Sequence, residues 1–249
     1  MAVLMFIIGL VLGSFFLVVG LRLPKNEDIL VTRSHCDHCQ KELKWYNLIP
    51  IFSYIFQKGK CTFCHQKISP LNLIIELTCG TLFLIGFIYY GISYKYYIYL
   101  IIISLMLLIF ITDFIYMIIL DSPLVIGSLS VIVLKWIFLG PKFVFSSILA
   151  GLVCFIIMIA IQKFGEYLFE REALGGGDIK FSFIIGLILE LPLGVAALVL
   201  ANFLALPYSV VSLYLNENNE VPFGPFLAGS LLIVYLFSDK FLNFINYFF

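Results

Sequence analysis

Residues 96–116 read YYIYLIIISLMLLIFITDFIY, an apolar run with one charged side chain, Asp113. The hydrocarbon core of a bilayer takes about 20 mostly apolar residues of helix. The stretch therefore predicts a membrane span with an acid near one end. The pattern repeats on both sides of it. Residues 1–21 and 143–162 carry no charge, 71–90 carry only Glu76, and 123–139 only Lys135. Residues 181–215 are too long for one span and hold Glu190, Pro192 and Gly194 within them. They predict two spans, the first short. Residues 226–237 with part of the tail predict the last. The expectation is an all-α polytopic membrane protein of about eight transmembrane helices. Residues 1–21 lack a basic leading segment and a small-residue cleavage site, so they read as a retained helix rather than a signal peptide.

Composition agrees. Of 249 residues, 62% are hydrophobic and 12% charged, and mean hydropathy is +1.09. Soluble domains carry about 25% charged residues. A soluble globular enzyme, a disordered chain and a disulfide-rich secreted module are thereby excluded. Fifteen basic residues balance fifteen acidic ones, so no net field points to nucleic acid. The charges cluster, however. Eight of the fifteen basic residues, all three histidines and four of the six cysteines lie between Arg22 and Lys67. The expected organisation is a first helix (1–21), a hydrophilic cysteine loop domain (22–70) and a multi-helix membrane domain (71–249). If the N-terminus is outside, the inner loops near 22–70, 117–122, 163–180 and 216–225 hold eleven basic residues against four elsewhere. Basic residues in short loops favour the cytoplasm, which predicts both termini outside.

The hydrophilic loop contains Cys36-Asp-His-Cys39 and Cys61-Thr-Phe-Cys64. Each C-x-x-C knuckle turns two sulfurs toward one point, and four thiolates suit tetrahedral zinc at about 2.3 Å per bond. Two disulfides or four free thiols are the other readings; a reducing cytoplasm disfavours the first. A closed four-sulfur site has no open coordination position and is structural. His35, His38 and His65 stand beside the ligands as neighbours or substitutes. Cys79 and Cys154 fall in apolar spans and read as buried thiols.

Carboxylates inside spans cost several kcal/mol and default to functional roles. Asp113 lies near the inner end of its span. Asp178 follows Gly175-Gly176-Gly177 at the start of an apolar run, either as an ordinary helix cap after a flexible linker or as a delivered functional acid. Asp113 and Asp178 fall at similar depth on the same side. Facing each other they would share one proton, as in aspartic proteases, and could activate a water. Asp121, before Pro123, reads as a turn or cap residue with a supporting role. Glu76 could point toward the same cavity, and Glu190 toward solvent at the outer side. Gly9-x-x-x-Gly13 reads as a close helix-packing motif.

With these residues in order, the chain resembles the type 4 prepilin peptidases, membrane aspartic proteases of the G-x-G-D class. The resemblance runs through Gly9-x-x-x-Gly13-Ser14-Phe15, Arg22-Leu23-Pro24, the two cysteine knuckles, Trp45-x-x-x-Ile49-Pro50, Gly59-Lys60-Cys61, Glu76, Asp113 with Asp121, Gly175-Gly176-Gly177-Asp178-Ile179-Lys180 and Pro222-Phe223-Gly224-Pro225. It implies catalytic aspartates at Asp113 and Asp178. It implies cleavage of the basic leader of type IV prepilins or pseudopilins at the cytoplasmic face of a bacterial inner membrane. It also implies N-methylation of the new amino terminus with S-adenosylmethionine, which is typical of members with an intact cysteine loop. Where the family often has Pro-Asp, this chain has Leu120-Asp121. The competing readings are a peptidase with a purely structural loop, a zinc-stabilised scaffold without catalysis, and a small transporter. A transporter would often show an inverted repeat, and none is visible in the hydropathy.

Overall fold

The computed structural model describes residues 1–29, 33–36, 38–169, 174–214 and 221–248; parts of the expected loops 22–70, 163–180 and 216–225 lie outside these. Contacts divide the chain into two compact units, Met1–Tyr96 and Tyr97–Phe249.

In the first unit, helix α1 (Ala2–Arg22) packs along α3 (Leu71–Tyr90). Small residues set the spacing. A Cβ on Gly9 would lie 2.8 Å from the Gly80 Cα, and one on Gly13 would lie 2.8 Å from the Cys79 Cβ. This is the close packing expected of the glycine pair, and Cys79 is fully buried beneath it. Between the two helices run 3-10 turns at Leu23–Lys25 and Trp45–Leu48, the short helix α2 (Phe52–Phe56) and both cysteine knuckles.

Helix α4 (Tyr94–Tyr116) leads into the second unit, which continues with α5 (Asp121–Leu139), α6 (Pro141–Phe169), α7 (Gly176–Tyr214), α8 (Gly224–Leu236) and α9 (Ser238–Phe248). Gly140, at φ 90°, joins α5 to α6 in one residue. The α6–α7 interface is close enough that a Cβ on Gly186 would sit 2.5 Å from the Ala150 carbonyl oxygen.

Helix α7 is interrupted where the sequence predicts. Glu190 leaves helical geometry at φ 65° and ψ 177°. A Cβ on Gly194 would lie 3.2 Å from the Gly186 Cα. In a straight helix eight residues advance about 12 Å. The chain therefore doubles back at Glu190, and residues 176–189 and 191–214 run side by side. Six helices are long and apolar enough to cross a membrane, and α8 with α9, bent by 84°, can make a seventh. The expected count was about eight; residues 176–189 are too short to add a full span by themselves. Large apolar side chains such as Ile126, Ile137, Phe145 and Ile156 face outward, as in a protein whose solvent is lipid.

Candidate active site

Asp113 stands in the last turn of α4. Its carbonyl accepts from the Met117 N–H at 3.0 Å, and Met117 ends the helix at φ 53°. A carboxylate at a helix C-terminus faces an unfavourable dipole. The remedy comes from α8. The Gly224 N–H, at the first residue of that helix, donates to the Asp113 Oδ2 at 3.0 Å. The next residue, Pro225, has no N–H to satisfy. Only glycine fits here, because a Cβ on residue 224 would lie 2.9 Å from the same oxygen.

Asp178 lies in the first turn of α7, where the dipole favours a negative charge. The three glycines before it are not equivalent. A Cβ on Gly177 would be 2.6 Å from the Ile119 Cβ, and one on Gly175 would be 3.2 Å from the Asp178 Oδ2, whereas Gly176 has nothing within 4 Å. Gly177 thus presses the start of α7 onto the segment joining α4 to α5. Ile119 also reaches the Gly224 position, at 2.9 Å from a Cβ there. Ile119 and Gly224 knit the two acids into one cluster.

Asp113 is 6% exposed and Asp178 8%. The Asp178 Oδ1 is buried with no hydrogen-bond partner. Such an orphaned acceptor is rare in folded proteins and requires an explanation.

Asp121 is the first residue of α5 and does not cap it; Leu120 holds that position. Instead its two oxygens accept from the Lys180 Nζ at 2.7 and 2.8 Å on an exposed face. Sequence reading missed a deeper pair. Lys135, 2% exposed, donates to the Ser147 Oγ at 2.6 Å and to the Ile188 carbonyl at 3.3 Å, and its Nζ lies 3.8 Å from the Glu190 Oε1. The cation serves the Ile188 carbonyl near the end of residues 176–189 and pairs with the residue at which α7 reverses. A lone lysine in the middle of an apolar run was the available signal.

In the first unit the four knuckle sulfurs lie within 4.8 Å of one another. The two knuckles repeat one hydrogen-bond pattern. The Gln40 N–H donates to the Cys36 carbonyl and the His65 N–H to the Cys61 carbonyl. The Cys36 and Cys61 N–H groups donate to Lys41 and Gln66. Gln40 and His65 both adopt positive φ, 58° and 57°, to close these turns. Backbone N–H groups of Cys64 and then Phe63 pull the Cys61 thiol down to about 6. Against the lowering pull of the Gln66 N–H, burial and the neighbouring sulfurs push the Cys64 thiol up to about 11. The Cys36 and Cys64 sulfurs are 3.8 Å apart. A tetrahedron with 2.3 Å metal–sulfur bonds has edges of about 3.8 Å, so the donor set fits a four-thiolate zinc ion. All six cysteines are free thiols, and no histidine joins the cluster among the described residues.

Glu76, 7% exposed, accepts from the Ile51 N–H through Oε2 at 2.8 Å and so ties the cysteine loop to α3. It lines a cavity of about 710 Å³ built wholly from first-unit residues.

Comparison with known proteins gives a consistent result. Residues 7–90 match the family described as Bacterial Peptidase A24 N-terminal domain, and residues 100–210 match the Type IV leader peptidase family. The chain is 30% identical over 244 residues to a prepilin leader peptidase/N-methyltransferase of Bacillus subtilis, covering 97% of this chain and 96% of that protein. It is 31% identical over 251 residues to one of Vibrio cholerae, covering 94% and 95%. A Myxococcus xanthus relative of the same description is 33% identical over 71% of this chain and 52% of that protein. No solved structure matches the chain.

Proposed function

The chain belongs to the type IV leader peptidase family, and from that premise we propose that it is a bifunctional enzyme of the bacterial inner membrane. It cleaves the basic leader from type IV prepilins or pseudopilins and then methylates the exposed amino terminus. The proposed catalytic pair is Asp113 and Asp178. The observation that carries this reading is the burial of both carboxyls around Ile119 and Gly224, with an unpartnered oxygen on Asp178.

The chemistry follows from that pairing. Two buried carboxyls that work as a pair cannot both ionise cheaply, so one holds a proton and the other is a base. The base removes a proton from a water molecule, whose oxygen adds to the scissile carbonyl carbon. The protonated partner gives its proton to the departing amide nitrogen. The C–N bond breaks, leaving a carboxylic acid and a free amine. The pair titrates as a unit, so acid and base are not assigned separately. The Gly224 N–H holds the Asp113 carboxyl in place throughout.

Orientation supports the same substrate. With the termini outside, Asp113 and Asp178 fall at the cytoplasmic boundary, where positive-inside placement leaves a basic leader and sends the following apolar helix into the bilayer. Asp121 and Lys180 serve as an exposed clamp between α5 and α7 beside the pair. Cys36, Cys39, Cys61 and Cys64 are the proposed ligands of a structural zinc ion, which fixes the loop and takes no part in hydrolysis. S-adenosylmethionine supplies the methyl group for the second reaction.

The test is incubation of the purified protein with a full-length prepilin and S-adenosylmethionine, followed by mass measurement of the product. The expected product lacks its leader and carries one added methyl group. A product without the leader and without the methyl group would reduce the reading to a peptidase. An intact prepilin would overturn it.

A further inference from the structure

We propose that the cavity between the cysteine loop and α3 is the binding site for the methyl donor, S-adenosylmethionine, with Asn47 and Glu76 as its principal recognition groups; this rests on the methyltransferase half of the reading above. The cavity encloses about 710 Å³, within the roughly 300–1,000 Å³ usual for small-ligand sites.

Its polar lining is unsatisfied in a specific way. Asn47 is 8% exposed and lines the cavity. Its Oδ1 accepts from the Gln57 Nε2 at 3.3 Å, which orients the amide. The Asn47 Nδ2 is then left buried with no partner. A buried donor without an acceptor costs about 1–3 kcal/mol, and an acceptor on a bound molecule, met by a small turn of the Asn47 amide, would remove that cost. Opposite in sign is Glu76, which spends Oε2 on the Ile51 N–H. Among the described residues its other oxygen has no protein donor, and the residue lines the same space. Ile51 accepts unusual geometry for that bond, at φ 64° and ψ −56°. A β-branched residue there is strained, and such strain gathers at functional sites.

The methyl donor matches this set. It carries a sulfonium and an ammonium group for the buried carboxylate, and purine nitrogens and a carboxylate as acceptors for the orphaned amide. Lys58 and Lys60 line the same space for the carboxylate, and Tyr54 lines it as an aromatic partner for the adenine. A basic leader peptide is a poor occupant, because these lysines would repel it. In the transfer itself, the amine lone pair of the processed pilin forms the N–C bond. The C–S bond electrons return to sulfur, leaving a neutral thioether, and the nitrogen releases a proton to solvent.

Asn47→Asp and Glu76→Gln are isosteric tests. The first keeps the acceptor for Gln57 and removes the orphaned donor. The second keeps an acceptor for the Ile51 N–H and removes the charge. Binding of S-adenosylhomocysteine and S-adenosylmethionine is measured by calorimetry on the full-length, zinc-loaded protein in detergent. Each variant is expected to weaken S-adenosylmethionine binding roughly ten-fold or more, with Glu76→Gln affecting the neutral thioether product less than the charged sulfonium donor. Wild-type affinity in both variants, with zinc content intact, would overturn the site. Should the variants lose zinc, photolabelling of the wild-type protein with radiolabelled S-adenosylmethionine decides. Label within residues 45–76 supports the site, and label confined to other peptides overturns it. A wild-type protein that methylates pilin while both variants bind normally condemns the site alone. One that neither binds the donor nor methylates condemns the methyltransferase reading with it.

Discussion

At the scale of single residues, a few hydrogen bonds and close approaches hold Asp113 and Asp178, the proposed catalytic pair, at one junction. Gly224→Ala would drive a methyl group into the Asp113 Oδ2 and into the Ile109 Cγ2, 2.8 Å away. Misplacing a reacting group by about 1 Å can cost roughly 100-fold in rate, so Gly224→Ala should cut leader cleavage by about that factor in a peptide assay. Asp121→Asn removes only an exposed ion pair of the kind worth about 0–1 kcal/mol. Its cleavage rate should stay within about ten-fold of wild type. Equal losses in the two variants would place Asp121 in the machinery and contradict the account. That Asp113 and Asp178 would stand out as buried acids was legible in the sequence, because a lone carboxylate in an apolar run is physically costly. Gly224 was visible only as part of a quoted motif. Its role depends on a residue 111 positions earlier, and no local pattern encodes that. The same holds for the Asn47 Nδ2, orphaned by a neighbour ten residues on.

At the scale of elements, the decisive feature is the reversal of α7 at Glu190, which makes residues 176–189 a short helix with Asp178 in its first turn. Sequence reading found the break through Glu190, Pro192 and Gly194. It assigned Glu190 to solvent, although that side chain also pairs with Lys135 across the helices. Two opposite charges in separate apolar runs are the sequence signal of that pair. Their energetics should be asymmetric, since Lys135 is almost fully buried and the Glu190 side chain is 45% exposed. Removing the acid strands a buried cation, which costs about 3 kcal/mol. Removing the lysine leaves a carboxylate that water can reach. Glu190→Gln should therefore lower the melting temperature in detergent more than Lys135→Met does. The reverse order would show that Lys135 acts through its bonds to Ser147 and Ile188 instead.

At the scale of the whole molecule, the positions of the long apolar helices followed from apolar run length, because bilayer thickness sets it. The cysteine cluster followed from knuckle spacing. The polar cavity did not, since its lining is gathered from residues 14–76 by tertiary folding alone. The zinc assignment predicts one zinc per chain by elemental analysis of purified protein. Cys61→Ser should abolish it and leave the 22–70 loop open to protease, because a structural zinc site contributes roughly 10 kcal/mol to the fold that holds it. Full zinc occupancy in that variant would exclude Cys61 as a ligand. The central claim is that Asp113 and Asp178 act together on the scissile peptide, and it is tested most directly by mass measurement of a prepilin exposed to Asp113→Asn, Asp178→Asn and the double variant. The account predicts that each single variant leaves the leader in place as completely as the double variant does. Trimmed pilin from the double variant would contradict it.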